Sequence, residues 1–156
     1  MLTRRGRSFR ENEDGVVLIE ALLALPILLI LAVGILEFGN MMWQRQQLQV
    51  GVRDAARYWS RCRPLANGAT YMPCTIDKAR NIAVFGNPDG TGNPRVPGWS
   101  ISDVTITPAT PDPVPDDTDM VTVSTSTDYQ GSPLFNAVLT GTVEIGYWAQ
   151  MRYIGW

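Results

Sequence analysis

The chain has 156 residues, a formal net charge of −2 and no histidine, so one ordinary domain is the ceiling and a membrane segment would leave barely a hundred residues for a core. Without histidine the commonest general base, the Ser-His and Cys-His nucleophile pairs and most zinc sites are gone, so neither an enzyme nor a metal or other cofactor is expected. Residues 1–63 hold nine arginines and six acids, whereas residues 64–156 hold four basic residues and nine acids, and an acidic C-terminal part argues against nucleic acid as a partner.

Residues 1–15 form a short basic leader with Arg4, Arg5, Arg7 and Arg10. The 23 residues from Val16 to Phe38 are apolar except for Glu20 and Glu37, and as a helix they span about 34 Å, enough to cross a bilayer with some tilt. Pro26 would break a soluble helix, but in lipid an unwound backbone exposes polar groups to hydrocarbon, so the helix is expected to continue through it. The competing reading is a cleaved secretory signal, with Ala32-Val33-Gly34 as its small-x-small site. The run is longer than the ~7–15 apolar residues such a signal needs. Four arginines before the span face Arg45, Arg53 and Arg57 soon after it, a narrow majority for a cytoplasmic N-terminus, and Trp43 suits an interface.

Over 39–63 the pattern becomes amphipathic. Leu48, Val52, Ala55, Ala56 and Trp59 recur at helical spacing, with Arg45, Gln49, Arg53, Arg57 and Ser60 on other faces. One helix is therefore expected from Val16 to about Arg61, stopped by Pro64. Arg53, Arg57 and Arg61 form a four-residue ladder that is either a partner-binding stripe or a solvated face favoured by the helix dipole.

Residues 64–156 read as a β-rich domain. Two Pro/Gly-rich pieces, Gly86 to Gly98 and Pro108 to Asp117, read as loops. Ser100–Thr107, Met120–Thr127 and Thr142–Tyr153 alternate apolar and polar residues and read as strands of a small antiparallel sheet. The fold class is thus α+β, a long N-terminal helix followed by a small antiparallel β-sheet domain.

Few constellations carry chemistry. Asp112, Asp116, Asp117 and Asp119 lack the Asp-x-Asp-x-Asp-Gly calcium loop and its distal Glu, and a solvated loop is the simpler reading. Cys62 and Cys74 are the only cysteines, too few for a thiolate metal site. They are expected to form a disulfide if the domain lies outside the cytoplasm, worth ~3 kcal/mol in the chain-entropy model. Two unpaired thiols are the alternative.

Glu20 demands more explanation, because an unpaired carboxylate within a span costs ~2.5–3.5 kcal/mol at its centre on insertion scales. It either sits near enough to the headgroups to be hydrated or has a partner. If the chain were cut after Gly15, the new ammonium of Val16 would lie one helical turn from Glu20 and could neutralise it, in the same subunit or a neighbouring one. This arrangement resembles the processing site of type IV pilins and pseudopilins. The fuller resemblance is to TadE-like proteins, minor pseudopilins of tight-adherence (Flp) pili. It is carried by Gly15, Glu20, Leu25-Pro26, Gly34-Ile35-Leu36-Glu37-Phe38-Gly39 and Arg53-Asp54-Ala55-Ala56-Arg57-Tyr58, and more loosely by Pro133-Leu134-Phe135 and Ala149-Gln150-Met151-Arg152.

The resemblance implies a pilin-like, single-pass protein of the bacterial cytoplasmic (inner) membrane with its C-terminal domain on the periplasmic or extracellular side. It further implies cleavage between Gly15 and Val16 by a prepilin peptidase, and partners among pilin subunits and the pilus assembly machinery. The sheet domain, absent from the short major pilins of such systems, points to a minor subunit. The alternative is a permanently anchored periplasmic binding or adhesion module whose helix is only a tether.

Overall fold

A computed structural model describes residues 13–62, 74–110, 118–133, 135 and 141–154. Residues 1–12 of the leader, Pro64, Tyr71-Met72-Pro73, Asp112, Asp116, Asp117 and Leu134 therefore lie outside the described residues. Helix α1 runs from Glu13 to Trp59, passing through Pro26. Helix α2 covers Ile76–Phe85, a 3-10 turn covers Ile101–Asp103, and three strands follow: β1 (Val104–Thr107), β2 (Met120–Asp128) and β3 (Glu144–Arg152). The α+β class holds, with one long helix ahead of a small antiparallel sheet.

The chain divides into two compact units, Met1–Gly39 and Asn40–Trp156. In the first, the large apolar side chains from Val16 to Phe38 are 55–73 % exposed, with Val33 half-buried. A helix apolar on every side has no polar face to offer water, and among the described residues nothing covers this one. It is long and apolar enough to cross a membrane.

The second unit has a conventional core. The stripe Leu48, Val52, Ala55, Ala56 and Trp59 on α1 is buried against Ala79, Ala83 and Val84 of α2 and against Val104, Ile106, Val121, Val123 and Ile145 of the sheet. Alternation along β2 sends Val121, Val123, Thr125 and Thr127 inward and leaves Ser126 and Asp128 exposed. The sheet order is β1-β2-β3, both pairings antiparallel, with Val104 opposite Thr125 and Trp148 opposite Ser124. The two core tryptophans find acceptors for their indole N–H groups. Trp99 donates to the Thr125 hydroxyl and Trp59 to the Pro108 carbonyl, each at 2.8 Å, as buried indoles require.

Two local expectations are corrected. Ser100–Thr107 is not one strand. Ser100 caps a 3-10 turn, its side chain accepting from the Ser102 N–H while the Asp103 carboxylate returns to the Ser100 N–H, and extended backbone begins only at Val104. Residues 76–85, given no element from the sequence, form α2. Thr75 caps its start by accepting from the Lys78 N–H, and Gly86 ends it in the left-handed region at φ 78°. The Pro/Gly-rich stretch 86–98 is irregular, as expected, and its glycines at 86, 90, 92 and 98 all have positive φ.

Candidate functional site

The residues singled out at the start of the apolar run fall on the first turns of α1. Gly15 is exposed, with open space where a Cβ would stand, and Val16 and Glu20 are exposed as well. Spacing of four places Val16 and Glu20 on the same face, their Cβ positions about 5–6 Å apart in a regular helix. The Gly15–Val16 bond lies within the first turn, where the N–H groups have no intrahelical partner and the ends fray. Glu37, the other acid of the run, is buried and partnered.

At the far end of α1 the structure brings Cys62 and Cys74 together as a disulfide, Cα atoms 5.7 Å apart. The Tyr153 hydroxyl donates to the Cys62 carbonyl, and the Ile154 N–H donates to the Ser60 carbonyl at 2.9 Å. The end of the helix, the start of the α2 segment and the end of β3 therefore meet at one point.

The arginine ladder is divided. Arg53 donates to the Tyr147 hydroxyl at 3.0 Å, and its guanidinium lies 5.6 Å from that ring's centroid. Arg57 and Arg61 are exposed. Nearer the start of the unit, Asn40 donates to the Tyr129 hydroxyl at 2.9 Å, and the buried Gln44 side chain donates to the Gln130 carbonyl at 3.0 Å. Tyr129 meets Phe135 edge-on, centroids 5.6 Å apart. Asp54, beside the ladder, takes a 2.9 Å ion pair from Arg95, a contact that spacing alone could not reveal. Burial raises the Tyr58 phenol above its ordinary value, with a backbone hydrogen bond involving Thr75 acting in the opposite sense.

Among the described residues no group of acids and cysteines could hold a metal ion, and of the acidic run read as a solvated loop only Asp119 is described. An uncovered apolar helix with one carboxylate in its second turn, joined to a small packed sheet unit, is suited to anchoring and docking. A family model described as TadE-like protein matches residues 15–57, which is the family the sequence resembles. No curated protein and no solved structure matches the chain. The matched segment begins at Gly15, contains the whole apolar run, and ends at Arg57 within the core stripe of α1. It ties this part of the chain to a family associated with the tight-adherence pilus, and the exposed apolar helix fits anchoring in a membrane.

Proposed function

We propose that the protein is a minor pseudopilin of a tight-adherence pilus, held in the cytoplasmic membrane by residues 16–38 and trimmed between Gly15 and Val16 by a prepilin peptidase. The observation that carries this reading is the coincidence of two limits. The family match starts at the glycine before the proposed cut, and the apolar face that nothing in the described chain covers starts at the residue after it. In this reading the Val16 ammonium and the Glu20 carboxylate, one turn apart, neutralise each other or their counterparts on a neighbouring helix. A lone charge in hydrocarbon becomes a pairing device. The residue 40–156 unit stands outside the cytoplasm, where the Cys62–Cys74 disulfide persists, and its partners are other pilin subunits and the assembly machinery. The chain acts as a structural or assembly subunit rather than an enzyme.

Mass spectrometry of the mature N-terminus tests the assignment. The reading requires a chain beginning at Val16, and Gly15→Leu should leave the leader in place because the peptidase needs a small residue before the bond. A mature chain beginning at Met1 would favour the anchored binding or adhesion module, and one beginning at Ile35 a secreted protein. Normal trimming of the Gly15→Leu chain would also refute the proposed site.

A further inference from the structure

The two edges of the sheet are treated differently. In the β2–β3 ladder, Tyr129 N–H donates to Val143 at 2.7 Å and Tyr153 N–H donates to Asp119 at 2.9 Å. Both pairs continue the strand register, in which Asp128 faces Glu144 and Met120 faces Arg152. Odd-numbered residues of β3 therefore turn their backbone groups toward β2, and even-numbered ones turn them outward. Ile154, next in the outward series beyond the strand, donates to the Ser60 carbonyl just past the end of α1. Among the described residues Gly146, Trp148 and Gln150 have no such partner, and β3 pairs with no strand but β2. By the same alternation Val104 and Ile106 point outward from β1. That edge is largely occupied, because the Val104 N–H donates to the Ile101 carbonyl, Arg80 Nε donates to the Val104 carbonyl at 3.2 Å, and Pro108, the outward position after Ile106, has no N–H.

Open edges are usually blunted by central lysine, proline or a bulge. The middle of β3 has none of these, and Trp148 is 62 % exposed there. An open groove of about 510 Å³ runs along this edge, lined by Arg53 of α1 and by residues 147–151. Its lining is mostly apolar, with Tyr147, Ala149 and Met151 on the α1 side, and its one charge is the Arg53 guanidinium. Arg57, one turn further along α1, adds a second exposed cation.

We infer that the free edge of β3 receives an extended acidic segment of a partner protein as a fourth strand of this sheet. Outward N–H and C=O groups of Gly146, Trp148 and Gln150 would supply the ladder, and alternate side chains would supply selectivity. One inward side chain fills the apolar floor at Ala149 and Met151, and the next places a carboxylate at Arg53. A second copy of the chain does not fit this role. Its β1 edge is largely occupied, and antiparallel pairing of two β3 edges would point the two α1 helices in opposite directions, since β3 runs alongside α1 in the same sense, from Gln44–Gln130 to Ser60–Ile154.

The test uses the full chain in detergent micelles and two synthetic acetylated peptides, TVEVTVE and its lysine counterpart TVKVTVK, with amide hydrogen exchange as readout. The inference does not depend on cleavage at Gly15, so its failure and that of the pseudopilin reading are separable. Without peptide, the amides of Gly146, Trp148 and Gln150 should exchange fast and those of Tyr147 and Ala149 slowly. The acidic peptide should slow Trp148 and Gly146 at least tenfold, and the basic peptide should bind at least twofold more weakly, the range expected of one exposed charge pair. Arg53→Glu, whose carboxylate can accept from the Tyr147 hydroxyl in place of the wild-type donation by Arg53, should invert that preference. Gln150→Pro removes one outward N–H without touching the β2 ladder and should abolish protection, while Gln150→Ala should retain it. Absence of protection at millimolar acidic peptide, equal protection by both peptides, slow exchange at Trp148 in the dilute free chain, or protection that grows with protein concentration alone would each overturn the proposal.

Discussion

Replacing Gly51 with alanine sets two physical effects against each other at one atom. A Cβ built there would stand 2.3 Å from the Ala83 carbonyl oxygen and 2.8 Å from the Trp99 ring. Ordinary contact is about 3.4 Å or more, so the α1 and α2 backbones would have to separate by about 1 Å, and neither obstacle is a flexible chain end. Overpacking of this kind costs about 1–3 kcal/mol. Against it, alanine improves a helix interior by about 1 kcal/mol over glycine. The clash wins because it falls on backbone, with a net loss of about 2 kcal/mol set by the upper part of the overpacking range. With a urea slope of about 1–3 kcal/mol/M, the unfolding midpoint should fall by roughly 1 M. The assay is urea unfolding of the full chain in micelles, followed by tryptophan fluorescence, with Val50→Ala as the neighbouring control because Val50 is 46 % exposed. A Gly51→Ala chain as stable as wild type would refute the close approach of α1 to α2.

Glu20→Leu should leave the protein in the membrane at normal level but abolish piliation or surface adherence, since a buried partner left without its opposite charge costs ~3–5 kcal/mol; wild-type piliation would return the carboxylate to a passive role. Non-reducing mass mapping should recover Cys62 joined to Cys74, and Cys62→Ser with Cys74→Ser should cost about 2–4 kcal/mol; free alkylation of both thiols in native protein would contradict the bond and the proposed topology. Because burial raises the Tyr58 phenol above 10.0, folding favours its protonated form, so that contribution is complete below the unfolded value and is lost as pH rises through the folded one. Alkaline titration of stability should therefore fall less steeply above pH 10 in Tyr58→Phe, and an unchanged slope would count against it.

What the sequence disclosed depended on whether a signal was repeated or local. The α1 stripe from Leu48 to Trp59 repeats over several turns, and the expected helix from Val16 to about Arg61 became Glu13–Trp59. Strands expected at 120–127 and 142–153 appear at 120–128 and 144–152, because alternation against a packed helix is hard to mistake. Helix α2 is ten residues long and buries only Ala79, Ala83 and Val84. Its caps, Thr75 and Gly86, were visible, but three small apolar positions between a cysteine and a glycine-rich stretch give a faint periodicity. The 3-10 turn at 101–103 was hidden by Ile101, whose place in an alternating pattern suited a strand equally well. At the candidate site, Gly15, Val16 and Glu20 were legible because their meaning lies in spacing along one helix. The Arg53–Tyr147 and Asp54–Arg95 contacts join residues 94 and 41 positions apart, and nothing in a linear pattern encodes such meetings.

The bonds that hold the sheet to α1 reach far along the chain. Asn40–Tyr129, Gln44–Gln130, Arg53–Tyr147 and Cys62–Tyr153 span 86 to 94 residues. The helix is made first and its covering strand last. At about 5–20 residues per second, the stripe from Leu48 to Trp59 waits on the order of 5–20 s after synthesis before β3 can close over it. Throughout that interval the stripe of α1 lacks its β3 cover, and a product truncated before residue 144 never gains it. A chain that ends before β3 therefore keeps apolar α1 surface exposed, and only completion of the last strand buries it.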